Sequence, residues 1–421
     1  MTRMHWQAWL LVAAVGLPLA VTMIPVASPP PPPAVTLPSD QTSVCAAGES
    51  GNSVYALGDS EIVATPVGGE PQAPQPRLEL RDVSAPVVLK SAKRFAAGTR
   101  TATETAAGWS RCAQPRTSAV LALAQPRISD VLLVNPDDAE AAVELALFGP
   151  EGPVSAVGSH TFSLSARSTR VVPVSAFVAS DAPIGVEVQA TLGRVGVFGR
   201  TWSALSGDYT DAANPADLQL LPGIPAGASS VKVIVTNPGA DRASVSVEAL
   251  STQAIALADA QGILVESQST VVIDVSSTIG SDAAALRVRS DRPVVASASA
   301  DAGGDVALVT HAEPLAAGRA VLPGGGTLSV TNPGDAAVTV TLSTRAGEAE
   351  AASSSVSLGP GETWTTPGMA GESVSYDLLS SSPVVAAVSV LGEQAAYVVP
   401  FQPLAEAPGA DVTLTYDPRL R

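Results

Sequence analysis

Ile128-Ser129-Asp130-Val131-Leu132-Leu133-Val134-Asn135-Pro136-Asp137-Asp138 opens as an apolar, β-prone run and stops on Asn-Pro. The pattern returns in Val231-Lys232-Val233-Ile234-Val235-Thr236-Asn237-Pro238-Gly239-Ala240, and again in Thr327-Leu328-Ser329-Val330-Thr331-Asn332-Pro333-Gly334-Asp335. The asparagines lie 102 and then 95 residues apart, a spacing that suits one sandwich domain per copy. After each copy comes an alternating segment. Val143, Leu145 and Leu147 share one face, as do Val245 and Val247, and Val338, Val340 and Leu342. Glu144, Ser244, Ser246, Thr339 and Thr341 take the other face, the mark of a half-exposed antiparallel strand. Proline keeps the residue before it out of the helical region and presets its own φ, and asparagine can cap a turn with its side chain. The expectation is three hairpins, turning at Asn135-Pro136, Asn237-Pro238 and Asn332-Pro333.

The later part of the unit recurs too. Asp291-Arg292-Pro293-Val294-Val295-Ala296 matches Ser381-Ser382-Pro383-Val384-Val385-Ala386. Glu313-Pro314-Leu315-Ala316 matches Gln402-Pro403-Leu404-Ala405, and Leu221-Pro222-Gly223 matches Leu322-Pro323-Gly324. The first copy diverges, with Gly193-Arg194-Val195-Gly196-Val197-Phe198 in the corresponding place. Runs and turn signals give about seven strands per copy, the number of an immunoglobulin-like sandwich. Composition agrees. Val, Leu, Ile and Ala must fill the core, since aromatics are only 4%, and 35 Gly with 35 Pro would interrupt long helices repeatedly. The reading is an all-β chain of tandem immunoglobulin-like antiparallel β-sandwich repeats: repeat 1 over 126–213, repeat 2 over 214–316 and repeat 3 over 317–406, then a tail, 407–421.

Ahead of the repeats, Arg3 and His5 precede an uncharged apolar run from Ala8 to Ala27, whose 20 residues can span a bilayer as a helix. Residues 28–40, with Pro29 to Pro33, form a proline-rich linker suited to a polyproline spacer. The positive-inside rule puts residues 1–7 in the cytoplasm and the bulk of the chain outside the cell. The alternative is a cleaved signal peptide, against which the run is long and lacks a clean cleavage site.

Residues 41–125 hold both cysteines, Cys45 and Cys112. A lone pair in an oxidising compartment points to one disulfide, the rival being two buried thiols, so this region is expected to be a disulfide-clipped β region, with repeat 1 as its candidate packing partner. Trp109, three residues before Cys112, is expected to lie over the bond.

Catalytic signatures do not emerge. The histidines are His5, His160 and His311, and His160 and His311 read as surface or turn residues. No nucleophile elbow, zincin helix or phosphate loop is present. Asp137 with Asp138, and Glu348 with Glu350, read as solvated loop charges; Asp301-Ala302-Gly303-Gly304-Asp305 lacks the ligand count of a dedicated calcium loop. A net charge of −16 disfavours nucleic acid. Trp202 and Trp364 are the aromatic candidates for ligand contact, Trp364 fitting core or interface better than a sugar platform.

One further run is Trp109-Ser110-Arg111-Cys112-Ala113-Gln114-Pro115, followed by Asn135-Pro136 and then Ala142-Val143-Glu144-Leu145-Ala146-Leu147-Phe148-Gly149-Pro150-Glu151-Gly152-Pro153. With the anchor and linker, this layout resembles an uncharacterised family, a domain of unknown function, of membrane-anchored extracellular proteins of high-GC Gram-positive bacteria. The resemblance implies a cell-envelope location and hands over no catalytic residues. The expectation is a non-enzymatic membrane-anchored scaffold meeting envelope proteins, without cofactor or metal; the alternative is an accessory binder of cell-wall or surface polysaccharide.

Overall fold

Val143, Leu145 and Leu147 are buried with Glu144 exposed between them, and Val338, Val340 and Leu342 are buried with Thr339 and Thr341 exposed. The alternation is therefore that of strands with one face inward. The computed structural model describes residues 41–47, 51–102, 107–154, 161–202, 207–277, 279, 284–392 and 395–404. These lie within the unit Ser39–Ala407 and are all-β, in several antiparallel sheets, with helix present among them only as short 3-10 turns. The run Ala8–Ala27, the linker, the tail and His160 fall outside the described residues. Among the described residues no helix is long and apolar enough to cross a membrane.

The three Asn-Pro stretches do not make hairpins. Ser129–Asn135 pairs with Ser168–Pro173 and Gly196–Trp202, whereas the next strand, Ala141–Gly149, pairs with Ile184–Leu192 in another sheet. Likewise Ser230–Asn237 pairs with Ser269–Asp274, while Ala243–Leu250 joins Ile263–Val265. Thr327–Thr331 pairs with Thr363–Pro367, while Val338–Ala346 joins Ala352–Leu358. Each Asn-Pro is an arch between two facing layers. Period-two alternation marks a strand with one buried face, but an arch and a hairpin both satisfy it.

The layers share their cores. Leu221, Val245, Val247, Leu286 and Val288 of one layer meet Val233, Val235, Ala296 and Ala298 of the other. The two later units route both layers through one long strand, Ala284–Ala302 or Val374–Leu391. The first half of each joins one layer and the second half the other. In the first unit that strand is broken into Ile184–Leu192 and Gly196–Trp202 around Gly193-Arg194-Val195, the place where its sequence diverges. Ser118–Leu123 pairs with Ile184–Leu192, so the first unit begins ahead of residue 126.

The N-terminal sheet runs Gln41–Cys45, Val87–Ser91, Asn52–Pro66, Phe95–Ala102, Ala107–Arg111, with Gln75–Val83 added on Asn52–Pro66. It curls until its outer strands meet. Val44 and Ala113 exchange two backbone hydrogen bonds at 2.8 Å, and the Cys45–Cys112 disulfide is formed beside them. This sheet packs on the first unit through Val44 and Ala46 against Leu132, Val134 and Phe198. It also packs on the third, where Tyr55 and Trp109 join the cluster of Leu328, Tyr376 and Phe401.

That second contact closes a ring. Ala107–Arg111, Gly207–Asp211, Asp305–Thr310 and Ala396–Pro400 are the strands next to the axis; each packs beside the following one and the last beside the first. Trp109 stacks on Tyr397 at 6.2 Å and on Tyr55 at 6.3 Å. It therefore sits at the seam with the third unit, in a different cluster from the disulfide it was expected to cover. A Cβ on Gly98 would stand 2.1 Å from the Trp109 ring, so only glycine lets the indole lie on that strand.

Candidate functional site

Asn135, Asn237 and Asn332 are essentially fully buried and make the same set of bonds. Nδ2 of Asn135 donates to the carbonyls of Ala139 (2.7 Å), Leu164 (3.3 Å) and Ser165 (2.9 Å), and Oδ1 accepts from the Asp137 amide (3.1 Å). Asn237 does this with Asp241, Val265, Glu266 and Gly239, and Asn332 with Ala336, Leu358, Gly359 and Gly334. The side chain both turns the arch and holds the edge of the facing layer. A carboxamide alone combines two donor hydrogens with an acceptor in this geometry. These are framework residues.

Trp202 and Trp364 lie on strands of different units. Trp202, 40% exposed, ends Gly196–Trp202; its Nε1 donates to Asp130 at 2.8 Å and the Arg200 guanidinium lies 4.2 Å from its ring centre. Trp364 is half-buried on Thr363–Pro367, opposite Val330, and packs on the core of the third unit. Asp305, from the acidic turn, is buried and accepts from the Ala396 amide of the next unit at 3.1 Å, which makes it part of a joint. Among the described residues no three His, Cys, Asp or Glu side chains converge in a way that would hold a metal ion.

What sequence reading missed is the axis. All four axial strands run toward one end, and the segments that leave them line a cavity of about 910 Å³. Each segment carries a polar residue before proline: Gln114-Pro115, Asn214-Pro215, Glu313-Pro314 and Gln402-Pro403. Their recurrence was the available signal. Four arginines, Arg94, Arg111, Arg116 and Arg194, line the same space, with Glu313 as the acid among the lining residues. Arg194 forks onto Asp137 at 2.9 and 3.0 Å. Arg111 lies 3.5 Å from buried Asp211, whose carboxyl burial pushes up against the pull of Arg111. Arg116 donates to the Asn214 amide oxygen at 3.1 Å. Burial, and then the like charge of Arg111, lower its pKa, with Glu313 and Asp211 acting the other way.

His311 lines the cavity and is not a free surface residue. In the first unit the Val120 amide donates to the Ala213 carbonyl, and in the N-terminal sheet Val44 donates to Ala113. In the second unit the equivalent Leu220 amide donates instead to Nδ1 of His311 at 3.1 Å. The imidazole replaces a carbonyl, and burial followed by the nearby Arg111 lowers its pKa to about 4. At neutral pH its proton therefore sits on Nε2. The cavity offers guanidinium forks, amides and a neutral imidazole, which is equipment for recognising a ligand.

Fold and site together describe a ring of β-sandwich-like units around an arginine-lined axis. The chain belongs to a family of unknown function (DUF5719), which matches residues 84–367. Among solved structures, the VP2 subviral particle of infectious bursal disease virus aligns at 10% identity and TM-score 0.11, covering 91% of this chain and 85% of that one. A tetra-tandem repeat from the extending region of a large adhesion protein aligns at 10% identity and TM-score 0.08, covering 86% and 98%. At these scores neither defines the fold. No curated protein matches.

Proposed function

We propose that this chain is a non-catalytic cell-envelope protein of a high-GC Gram-positive bacterium. The apolar run Ala8–Ala27 tethers it with the N-terminus in the cytoplasm, the linker 28–40 spaces it from the bilayer, and immunoglobulin-like units outside the cell form a scaffold for other envelope proteins. The observation that carries this reading is the interlocked ring. Joints between units use paired backbone and side-chain bonds, as where Gln402 donates to the Ala97 carbonyl at 2.7 Å and accepts from its amide at 3.3 Å. A frame held this way presents its outer surface in a fixed geometry. The disulfide supports an oxidising, extracellular setting, and the −16 charge fits a soluble exterior.

Crosslinking on intact cells followed by mass spectrometry tests the scaffold, which predicts a reproducible set of envelope proteins attached through lysines or carboxylates of the units. A crosslinked fraction holding only this chain would count against it. A second reading, an accessory binder of wall polysaccharide, is favoured by Trp202, an exposed indole held on a rigid mount by Asp130. It predicts co-sedimentation with isolated wall that Trp202→Ala abolishes. Wall that leaves the protein in the supernatant excludes it.

A further inference from the structure

We propose that the cavity at the ring axis is a binding site for an oxyanion, the phosphate or carboxylate group of a small soluble ligand. The chain carries a net charge of −16, yet four of its arginines line this cavity with Glu313 as the opposing acid on the lining. Two of them are answered by carboxylates, Arg194 by Asp137 and Arg111 by Asp211. Among the described residues Arg94 and Arg116 have no carboxylate within ion-pair distance, and the Nε of Arg94 is buried with no hydrogen-bond partner.

A guanidinium does not escape burial by losing its proton, so its charge and its donors have to be met. Arg116 also feels the repulsion of Arg111. An oxyanion placed between them would relieve that repulsion and accept two parallel N–H bonds from a planar fork. Neutral donors stand around the same space: the Gln41 and Gln114 amides, the Ser43 and Thr117 hydroxyls, and His311. About 910 Å³ lies toward the upper end of the roughly 300–1,000 Å³ typical of small-ligand pockets. The site thus suits a ligand larger than one phosphate ion. This inference rests on the cavity alone and survives if the tether or the scaffold role is wrong.

Calorimetric titration of the full chain in uncharged detergent at low salt tests it, with pyrophosphate and trigalacturonate as phosphate and carboxylate probes and maltotriose as the neutral control. The expected result is binding of at least one anion, no binding of maltotriose, and an affinity that falls as sodium chloride is added. The double substitution Arg94→Gln with Arg116→Gln should weaken binding by about tenfold or more. Arg170→Gln, an exposed arginine stacked on Phe162, should leave it unchanged. Whichever probe binds tells phosphate from carboxylate. The proposal is overturned if neither anion binds the wild-type chain, or if a normally folded double variant binds as well as wild type. Should the variant fail to fold, hydrogen exchange on the wild type decides: bound anion must slow exchange in 112–118 and 212–218, and unchanged exchange there overturns the site.

Discussion

A buried carboxamide with every hydrogen-bonding group engaged is hard to replace. Asn237→Ala removes the donor to three carbonyls and the acceptor for the Gly239 amide in a fully buried arch. The expected loss is about 2–4 kcal/mol in denaturant unfolding, with wild-type sheet content in the folded baseline. Asn237→Asp should be worse at pH 7 than at pH 4, because an ionised carboxylate would face carbonyl oxygens. The asparagines were legible as turn residues from their place before proline; their second bond, to a strand end some 30 residues away, was not. His311 was misread for a related reason. The third unit has Pro400 in its place, so comparison of copies makes histidine look dispensable, whereas in the second unit its ring accepts the Leu220 amide. Its lowered pKa fixes a sign. The unfolded chain takes up the proton near pH 6.5 and the folded chain only near pH 4. Stability from this group is therefore complete above pH 6.5 and is lost as pH falls toward 4. Unfolding midpoints measured between pH 7 and 4 should decline less steeply in His311→Gln than in wild type.

Between elements, the same joint is used twice. The hydroxyl of Thr270 donates to the Phe148 carbonyl at 2.8 Å, and that of Thr363 to the Leu250 carbonyl at 2.7 Å. Each links a unit to the one before it, and each threonine pairs with a second, Thr236 or Thr331, on the neighbouring strand. A Cβ on Gly185 would stand 2.3 Å from Thr236, so the first unit offers a bare backbone where the second docks. Thr270→Val and Thr363→Val keep shape and remove the bond. Each should cost about 1–3 kcal/mol, and the pair should add nearly independently in chemical unfolding. The strands themselves were readable from alternation and β-branched content. Their partners were not, since register within a layer and passage between layers leave the same period-two signature. The hairpin expectation failed there, and so did the boundary at 126, because Ser118–Leu123 carries no turn signal tying it to the strand it pairs with at Ile184–Leu192.

At the scale of the whole unit, the ring depends on contacts between residues hundreds of positions apart, for which a single sequence carries no local mark. Gln402 reaches Ala97, Arg319 reaches Asp59 at 3.0 Å, and Arg77 reaches Ser373 at 3.2 Å. The disulfide, legible from cysteine count alone, closes the N-terminal sheet that completes the circle. Opening it frees a loop of 67 residues in the unfolded chain, which lowers stability by about 4 kcal/mol in the chain-entropy account. Because Cys112 leads directly into the cavity lining, reduction should also raise hydrogen exchange in 112–118 ahead of the rest. Small-angle X-ray scattering on the unit 39–407 addresses ring closure itself. A closed ring predicts a radius of gyration of about 21 Å, that of one compact body of this length. A value about twice as large, with the multi-peaked distance distribution of domains strung end to end, would contradict it.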